Sequence, residues 1–295
     1  MIEKMHDLVR TKYCYLKVKR TPSQSELEEY YAKKYYQEAK GSYEPTYGKE
    51  EITYFNNKTA ERFFVLQKLG SRKKKMSLLD VGCGEGWALQ YFKKKGWDVL
   101  GLDYSSFGCE KFNPECSKYL MAGDVYENLQ ILIKKGRMFD VVWVDNVLEH
   151  VIDPEGLVTD LKKITAPKGT LVVEVPNDFS MLQNYVLKKG HVNGPYWVAI
   201  PDHLSYFTKV GLENLLHAHG WKSVACLGDY PIDWNLVNPN TNYIQDKTKG
   251  KSCYRERIEM ENLLHTMGVE KVVDFYSSMA ALGCGRGITG FFKKK

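Results

Sequence analysis

The stretch Leu78-Leu79-Asp80-Val81-Gly82-Cys83-Gly84-Glu85-Gly86-Trp87 decides the fold. Its apolar run ends in an acid and passes at once into spaced glycines. This pattern is typical of a buried parallel strand whose carboxyl end turns sharply toward a ligand. Glycines let the backbone approach that ligand and adopt dihedrals that a Cβ forbids. A helix is predicted over 85–95, with lysines in its last turn and Gly96 after it. The sequence therefore predicts a strand, a glycine turn and a helix.

The spacing of Gly82, Gly84 and Gly86 indicates which ligand the turn holds. Dinucleotide folds use G-x-G-x-x-G, with a pyrophosphate at the start of the helix. Here the spacing is G-x-G-x-G, and Glu85 would repel a phosphate but tolerate a cationic or zwitterionic ligand. The next predicted strand ends in Asp103, 21 residues after Gly82, where a carboxylate can accept hydrogen bonds from both ribose hydroxyls. A ribose without a phosphate points to an adenosine-type cofactor.

Four motifs, each at the end of a predicted strand, resemble those of the class I S-adenosylmethionine-dependent methyltransferases. They are Asp80 to Gly86, Gly101 to Ser105, Ala122 to Asp124 and Phe139 to Asp145. The resemblance implies a Rossmann-like α/β fold, a seven-stranded and mostly parallel sheet with helices on both faces. It also implies S-adenosylmethionine as cofactor and S-adenosylhomocysteine as product. A nucleotide-sugar epimerase or dehydrogenase is disfavoured by the glycine spacing and by the lack of a Tyr-x-x-x-Lys pair after the fourth strand.

The same resemblance assigns cofactor contacts to individual residues. Asp80 and the backbone of Gly82 and Gly84 would position the methionine portion, and Asp103 the ribose. Asp124 would bind the adenine amino group, although it could instead cap the helix that follows. Further cofactor-side residues of these motifs are Cys83, Tyr104, Gly123, Val125, Asp145 and Asn146. Asp140 opens a strand and is expected to be structural.

Composition favours a cytosolic enzyme. With 295 residues, 43% of them hydrophobic and 26% charged, the chain can bury one sizeable core with an elaboration. Its seven scattered cysteines contain no C-x-x-C pair, which is the usage of a reduced cytoplasmic protein. No window suggests a secretory signal or membrane insertion. The net charge of +6 lacks the long basic stripe with interleaved aromatics that nucleic-acid binding predicts.

The pattern along the chain predicts four parts. Residues 1–70 form a helical, tyrosine-rich segment, 71–228 the cofactor-binding core, 229–285 a helical insertion that shapes the substrate pocket, and 286–295 the last strand. Within the core, the fifth strand is predicted over 170–175. In the first segment Tyr35 and Tyr36 either pack a helix onto the core or contact substrate as part of a lid. The long inserted helices could form a homodimer interface.

The run Asp145 to Pro154 resembles the ubiquinone-type O-methyltransferases and their bacterial relatives. In part of that group an acidic pair here, with the following glutamate and histidine, is associated with a divalent cation. Asn146 replaces the second acid, so no metal is expected. His150 then serves either as a base or as a structural hydrogen-bond partner within the turn.

A second histidine is the stronger candidate for the base. The segment Pro201 to Thr208 resembles the H-x-S-x-F-T stretch of the same relatives, which faces the substrate. A neutral imidazole is a natural acceptor for a hydroxyl proton, so His203 is predicted to be catalytic or substrate-binding, with a structural role as the alternative. Further substrate contacts are predicted for Asn177, His191, Tyr196 and Trp197, in and before the loop that follows the fifth strand.

These residues favour an O-methyltransferase that acts on a hydroxyl of a polar small molecule, most plausibly a sugar or sugar nucleotide. The resemblance is to methyltransferases found with bacterial surface-polysaccharide assembly. Methylation of an aromatic or quinone-like hydroxyl, or of an amine, is the alternative within enzymes. A non-catalytic cofactor-binding module would predict erosion at Asp80, Gly82, Gly84 or Asp103, and all four are intact.

Overall fold

A computed structural model describes residues 7–23, 26, 46–70 and 75–295. In chain order its strands are β1 (Leu8–Arg10), β2 (Leu16–Val18), β3 (Ser77–Val81), β4 (Asp98–Asp103), β5 (Leu120–Ala122), β6 (Phe139–Asp145), β7 (Thr165–Pro176), β8 (Ser205–Tyr206), β9 (Trp221–Gly228) and β10 (Gly287–Lys294). Its helices are α1 (Lys49–Lys68), α2 (Trp87–Lys94), α3 (Phe107–Phe112), α4 (Val125–Lys134), α5 (Pro154–Ile164), α6 (Met181–Lys188), α7 (Lys209–Ala218), α8 (Gly250–His265) and α9 (Val269–Ala281).

Seven strands form the central sheet, in the order β5-β4-β3-β6-β7-β10-β9. The first five in this order are parallel, and β10 runs antiparallel to both of its neighbours. The predicted fold class is confirmed. Because parallel strands end at one edge of a sheet, this order gathers the motifs that follow β3, β4, β5, β6 and β7 along a single edge.

The core lies on both faces of this sheet. In β6, Val142 and Val144 pack toward α4, α5 and α7 on one face, whereas Val141 and Trp143 pack toward α1, α2 and α9 on the other. Successive side chains of a strand point to opposite faces, so a strand buried on both faces is apolar at nearly every position. This explains why the predicted parallel strands read as continuous apolar runs.

The expectation of an entirely helical segment over 1–70 is wrong for residues 7–23. Here β1 and β2 form a hairpin, and β2 pairs with β8. The hairpin turns through Cys14, whose φ is 70°, and Tyr15 packs against Phe207 with ring centroids 4.6 Å apart. Tertiary contacts with β8 decide the conformation of these short strands, whose local propensity is weak. The predicted helix before the first core strand is present as α1, and Tyr35 and Tyr36 lie outside the described residues.

Other differences concern the second half of the chain. β7 begins at Thr165 rather than at residue 170, because Thr165 already pairs with Phe139 before an irregularity in the register. α6 and the short strand β8 were not predicted. The long helices expected in the 229–285 segment are present as α8 and α9. No helix in the described part of the chain combines the length and apolar character that crossing a membrane requires.

Candidate cofactor and acceptor site

The glycine turn after β3 needs its glycines for two reasons. Gly82, Gly84 and Gly86 all have left-handed backbones, with φ of 78°, 50° and 78°. A Cβ on Gly82 would lie 2.2 Å from Cγ2 of Val147, in the segment that follows β6. A Cβ on Gly84 would meet nothing within 4 Å among the described atoms. Gly82 therefore permits close packing, and Gly84 leaves its side of the turn open to a ligand.

Substitution of Gly82 by alanine should lower the free energy of unfolding by about 2 to 5 kcal/mol, because left-handed strain and overlap with Val147 add together. Urea unfolding would measure this loss. The matched control is Gly136→Ala, where φ is 63° and nothing lies within 4 Å of an added Cβ, so only the strain applies. Adding Val147→Ala to Gly82→Ala should restore part of the loss. Equal losses in the two single variants would contradict the proposed overlap.

Asp103 closes β4 with both carboxylate oxygens oriented by backbone amides. Its Oδ2 accepts from the amide of Gly84 at 2.7 Å, and its Oδ1 accepts from the amide of Ser105 at 3.0 Å. Burial raises the pKa of Asp103, and these amides oppose the rise. Below the turn, burial raises the pKa of Asp80 well above its usual range, and the charges of Asp145 and Asp103 add to this rise. Asp103 thus joins the second predicted motif to the glycine turn.

The remaining predicted cofactor residues occupy the same edge with different local roles. Asp124 caps α4, since its Oδ1 accepts from the amide of Glu127 at 2.8 Å, which is the alternative role that the sequence left open. Cys83 is buried, and its Sγ would lie 2.6 Å from a Cβ on Gly101. The others follow the ends of β4 and β5: Tyr104 is exposed, and Gly123 and Val125 are partly buried. Their contacts with the cofactor stay predictions.

Glu85 is held by two aromatic residues. Its carboxylate accepts from Tyr47 Oη at 2.7 Å and from Trp87 Nε1 at 2.6 Å. Burial raises the pKa of Glu85, and both hydrogen bonds oppose that rise. The sequence argument used Glu85 only as a charge facing the ligand and did not identify Tyr47 as its partner.

Arg62 in α1 is a site residue that the sequence analysis missed. Its Nη1 donates to Oδ2 of Asp145 at 2.6 Å, and its Nη2 pairs with Glu174 in β7. The guanidinium also lies 5.3 Å from the ring centroid of Trp143. Asn146, with a left-handed φ of 52°, donates from Nδ2 to Oδ1 of Asp145 at 2.8 Å. The available signal was Glu174 itself, because an acid inside an apolar strand requires a cationic or hydrogen-bonded partner.

His150, in the segment that follows β6, is in contact with His203, in the segment before β8. Their ring centroids are 4.7 Å apart and the rings are nearly perpendicular. Nδ1 of His150 lies 2.7 Å from the carbonyl oxygen of Asp202, and its Nε2 lies 3.7 Å from Oε1 of Glu149. Burial raises the pKa of Glu149 well above its usual range, so this carboxyl is disposed to be neutral. The two segments singled out by resemblance therefore meet at one place.

Backbone hydrogen bonds fix this meeting point. The amides of Leu204 and Ser205 donate to the carbonyl oxygen of Glu149 at 2.8 and 3.0 Å. The hydroxyl of Tyr206 donates to the carbonyl oxygen of His203 at 2.9 Å. Potential ligand atoms of Glu149, His150 and His203 lie within 4.8 Å of one another, and the expectation that the site needs no metal stays a prediction.

The predicted substrate residues differ in accessibility. Asn177 is buried and donates from Nδ2 to the carbonyl oxygens of Gly283 and Gly285 at 3.2 and 3.1 Å, so its amide holds the turn before β10. Trp197 is also buried, with its ring centroid 5.4 Å from that of Phe179. Tyr196 and His191 are partly exposed. Their substrate roles stay predictions, and Asn177 and Trp197 have internal packing roles as well.

Comparison with known proteins gives the family. Residues 53–225 match the methyltransferase domain family. A ubiquinone biosynthesis O-methyltransferase of Rhodopseudomonas palustris (strain TIE-1) is 30% identical over 103 residues, 35% of this chain and 40% of that protein. A second one, from Sinorhizobium fredii, is 30% identical over 132 residues, 43% of this chain and 51% of that protein. The chain thus spans about half or less of the length of these curated relatives.

Among solved structures, the plantazolicin methyltransferase BamL in complex with a desmethyl analogue and S-adenosylhomocysteine superposes with a TM-score of 0.50. It is 13% identical, and the match covers 92% of this chain and 91% of that one. The likeness concerns the fold. On the residues of this chain, the carboxylate of Asp103 and the open side of Gly84 fit an adenosine-type cofactor. The chain belongs to the methyltransferase domain family, and these residues fit the S-adenosylmethionine that the sequence motifs predict.

Proposed function

We propose that this methyltransferase is cytoplasmic and methylates a hydroxyl group of a polar small molecule, with a sugar or sugar nucleotide as the leading substrate class. The observation that carries the proposal is the pair His150 and His203, whose ring centroids are 4.7 Å apart. His150 lies in the segment that follows β6, shortly after Asp145 and Asn146, and His203 is brought to it by the segment before β8. A hydroxyl becomes a good nucleophile only as its proton leaves, and a positioned imidazole accepts that proton near neutral pH.

Each of these residues would have a separate role in the methyl transfer. S-adenosylmethionine, which Asp80, Asp103 and the glycine turn would hold, would supply an electrophilic methyl group, and its methyl–sulfur bond would break to leave the thioether S-adenosylhomocysteine. His203 would accept the hydroxyl proton at a ring nitrogen as the acceptor oxygen takes the methyl group. His150, held against the carbonyl oxygen of Asp202, keeps the His203 ring in place. Such alignment of nucleophile, base and electrophile is what an in-line displacement requires.

An aromatic or quinone-like hydroxyl is the second candidate acceptor. The curated relatives named for ubiquinone biosynthesis favour it. So do the exposed side chains of Met181 and Tyr185, which lie one turn apart on α6, in the segment after β7. An amine would need no strong base, so it would leave His203 without a catalytic role.

Substitution of His203 by asparagine should lower kcat about 100- to 10,000-fold, because it removes the base but not the cofactor contacts. Production of S-adenosylhomocysteine would be followed from pH 6 to 9 with a panel of sugar nucleotides, a catechol and a primary amine as acceptors. His217→Asn, an exposed histidine in α7, is the matched control. A wild-type rate in the His203 variant, with its cofactor affinity also unchanged, would refute the assignment of this base. Transfer to the catechol or the amine alone would refute the sugar class.

A further inference from the structure

An ion pair lies at the same edge of the sheet, outside the cofactor motifs. Asp178 follows the end of β7 and Arg286 precedes the antiparallel β10, so their backbones lie side by side. Nη1 of Arg286 donates to Oδ1 of Asp178 at 3.1 Å. The Asp178 side chain is 1% exposed, whereas that of Arg286 is 26% exposed. The enclosed carboxylate therefore orients a guanidinium that solvent can still reach.

A buried polar neighbour completes this pair. Oδ2 of Asp178 and both carboxamide atoms of Gln183 in α6 are buried. Burial raises the pKa of Asp178 to about 6, and the Arg286 guanidinium and the Gln183 carboxamide both oppose the rise. The carboxylate is thus enclosed between Arg286 and Gln183, and Arg286 is the member of this group that a polar ligand can reach.

The pair adjoins the segment that carries His203. The backbone amide of Asp178 donates to the carbonyl oxygen of Phe207 at 2.8 Å, and Tyr206, the residue before Phe207, donates from its hydroxyl to the carbonyl oxygen of His203. Glu149 accepts the backbone hydrogen bonds of Leu204 and Ser205, which follow His203. A ligand on Arg286 would thus lie beside the segment that holds the proposed base.

The charges and hydrogen-bonding groups around Arg286 indicate which class of ligand can bind there. Arg286 faces Asp233 of the inserted segment as well as Asp178, so this place has no excess positive charge with which to attract a phosphate or carboxylate. Adjacent donors and acceptors instead suit a hydroxyl group, which does both. The ring of Tyr196, partly exposed and 5.1 Å from that of Trp197, adds an aromatic face beside them.

We propose that Arg286, oriented by Asp178, is the specificity-determining contact for a neutral, polyhydroxylated ring of the methyl acceptor. The inference rests on the proposed function and deepens it, because it assigns the contact that would distinguish a saccharide from a phenol. Arg286 touches the acceptor, and Asp178 is a positioning residue. The sequence analysis identified neither Arg286 nor Asp178, although it did identify Asn177, the residue before Asp178.

The test measures binding and not only turnover. Full-length protein with bound S-adenosylhomocysteine would be titrated with UDP-glucose, GDP-mannose, methyl α-glucopyranoside and catechol, observed by saturation-transfer difference NMR. We expect at least one saccharide to bind wild type, with the signal arising from its sugar ring. Arg286→Met should weaken that binding at least 10-fold, Arg286→Lys and Asp178→Asn less, and none should change the affinity for S-adenosylhomocysteine. If Arg286→Lys retains part of the saccharide affinity, the positive charge itself contacts the saccharide. A variant that only disordered the loop would not show this partial affinity.

Arg255→Met is the matched control, since Arg255 is an exposed arginine of α8 in the same inserted segment. The proposal is overturned if no saccharide in the panel binds wild type, if Arg286→Met binds it equally well, or if Arg255→Met weakens it as much. If a saccharide binds in a way that depends on Arg286 but is not methylated, the proposed function is overturned and the role of Arg286 in binding stands. If a saccharide is methylated equally well by wild type and Arg286→Met, the proposed function stands and the role of Arg286 is overturned.

Discussion

Replacement of Asp103 by asparagine should weaken the binding of S-adenosylhomocysteine about 100-fold. A carboxylate at the end of β4 can accept from both ribose hydroxyls, and loss of two charge-assisted hydrogen bonds of about 1.5 kcal/mol each gives a factor of this size. The two backbone amides from Gly84 and Ser105 hold the carboxylate in its orientation. Isothermal titration of wild type and variant with S-adenosylhomocysteine would measure the change.

The matched control for Asp103 lies at the other end of the same strand. Asp98 is exposed and its only ion pair among the described residues is with Lys75, at 3.3 Å. Asp98→Asn should therefore leave the dissociation constant unchanged. Because Asp103→Asn also loses one acceptor for a backbone amide, the melting temperature of each variant must be measured in the same buffer. A change of less than twofold in the affinity of a folded Asp103→Asn protein would remove Asp103 from the cofactor site.

The sequence predicted the parts of this protein that follow from local rules. Strands buried on both faces must be apolar, and turns that approach a ligand must be glycine-rich, so β3, β4 and the turn after β3 could be identified in advance. The acid at the end of β4 could be identified because an apolar strand gives Asp103 little structural reason to be there. The convergence of His150 and His203 required the resemblance, since 53 positions separate them and no periodicity links them.

What the sequence did not predict depends on partners distant in the chain. The hairpin of β1 and β2 depends on the pairing of β2 with β8, and β8 itself has only two residues. The direction of the Asn177 carboxamide, toward Gly283 and Gly285, depends on a turn more than a hundred residues later. The contacts of Arg62 could not be predicted for the same reason. A helical pattern predicts which face of α1 is apolar, but it does not predict that one arginine of this helix pairs with two acids of the sheet.

Arg62 gives the largest predicted effect on stability. Substitution by methionine should lower the free energy of unfolding by about 3 to 5 kcal/mol, because it leaves Glu174 without its cation in a poorly solvated place. It also removes the cation that pairs with Asp145, whose side chain is 30% exposed. The side chains of Arg62 and Glu174 are 6% and 11% exposed. Glu174 keeps only the hydroxyl of Thr289, which donates to it at 3.0 Å, among the contacts described for it. Urea unfolding of the wild type and the variant in the same buffer would measure the loss.

The chain offers a control on the same helix. Lys68 pairs with Glu270 at 2.6 Å, but the two side chains are 54% and 61% exposed, so Lys68→Met should change stability by less than about 1 kcal/mol. Adding Glu174→Gln to Arg62→Met should recover part of the loss by removing one unpaired charge. If Arg62→Met were no worse than Lys68→Met, then α1 would be held to the sheet by buried apolar contacts such as Val65 and Leu66 alone.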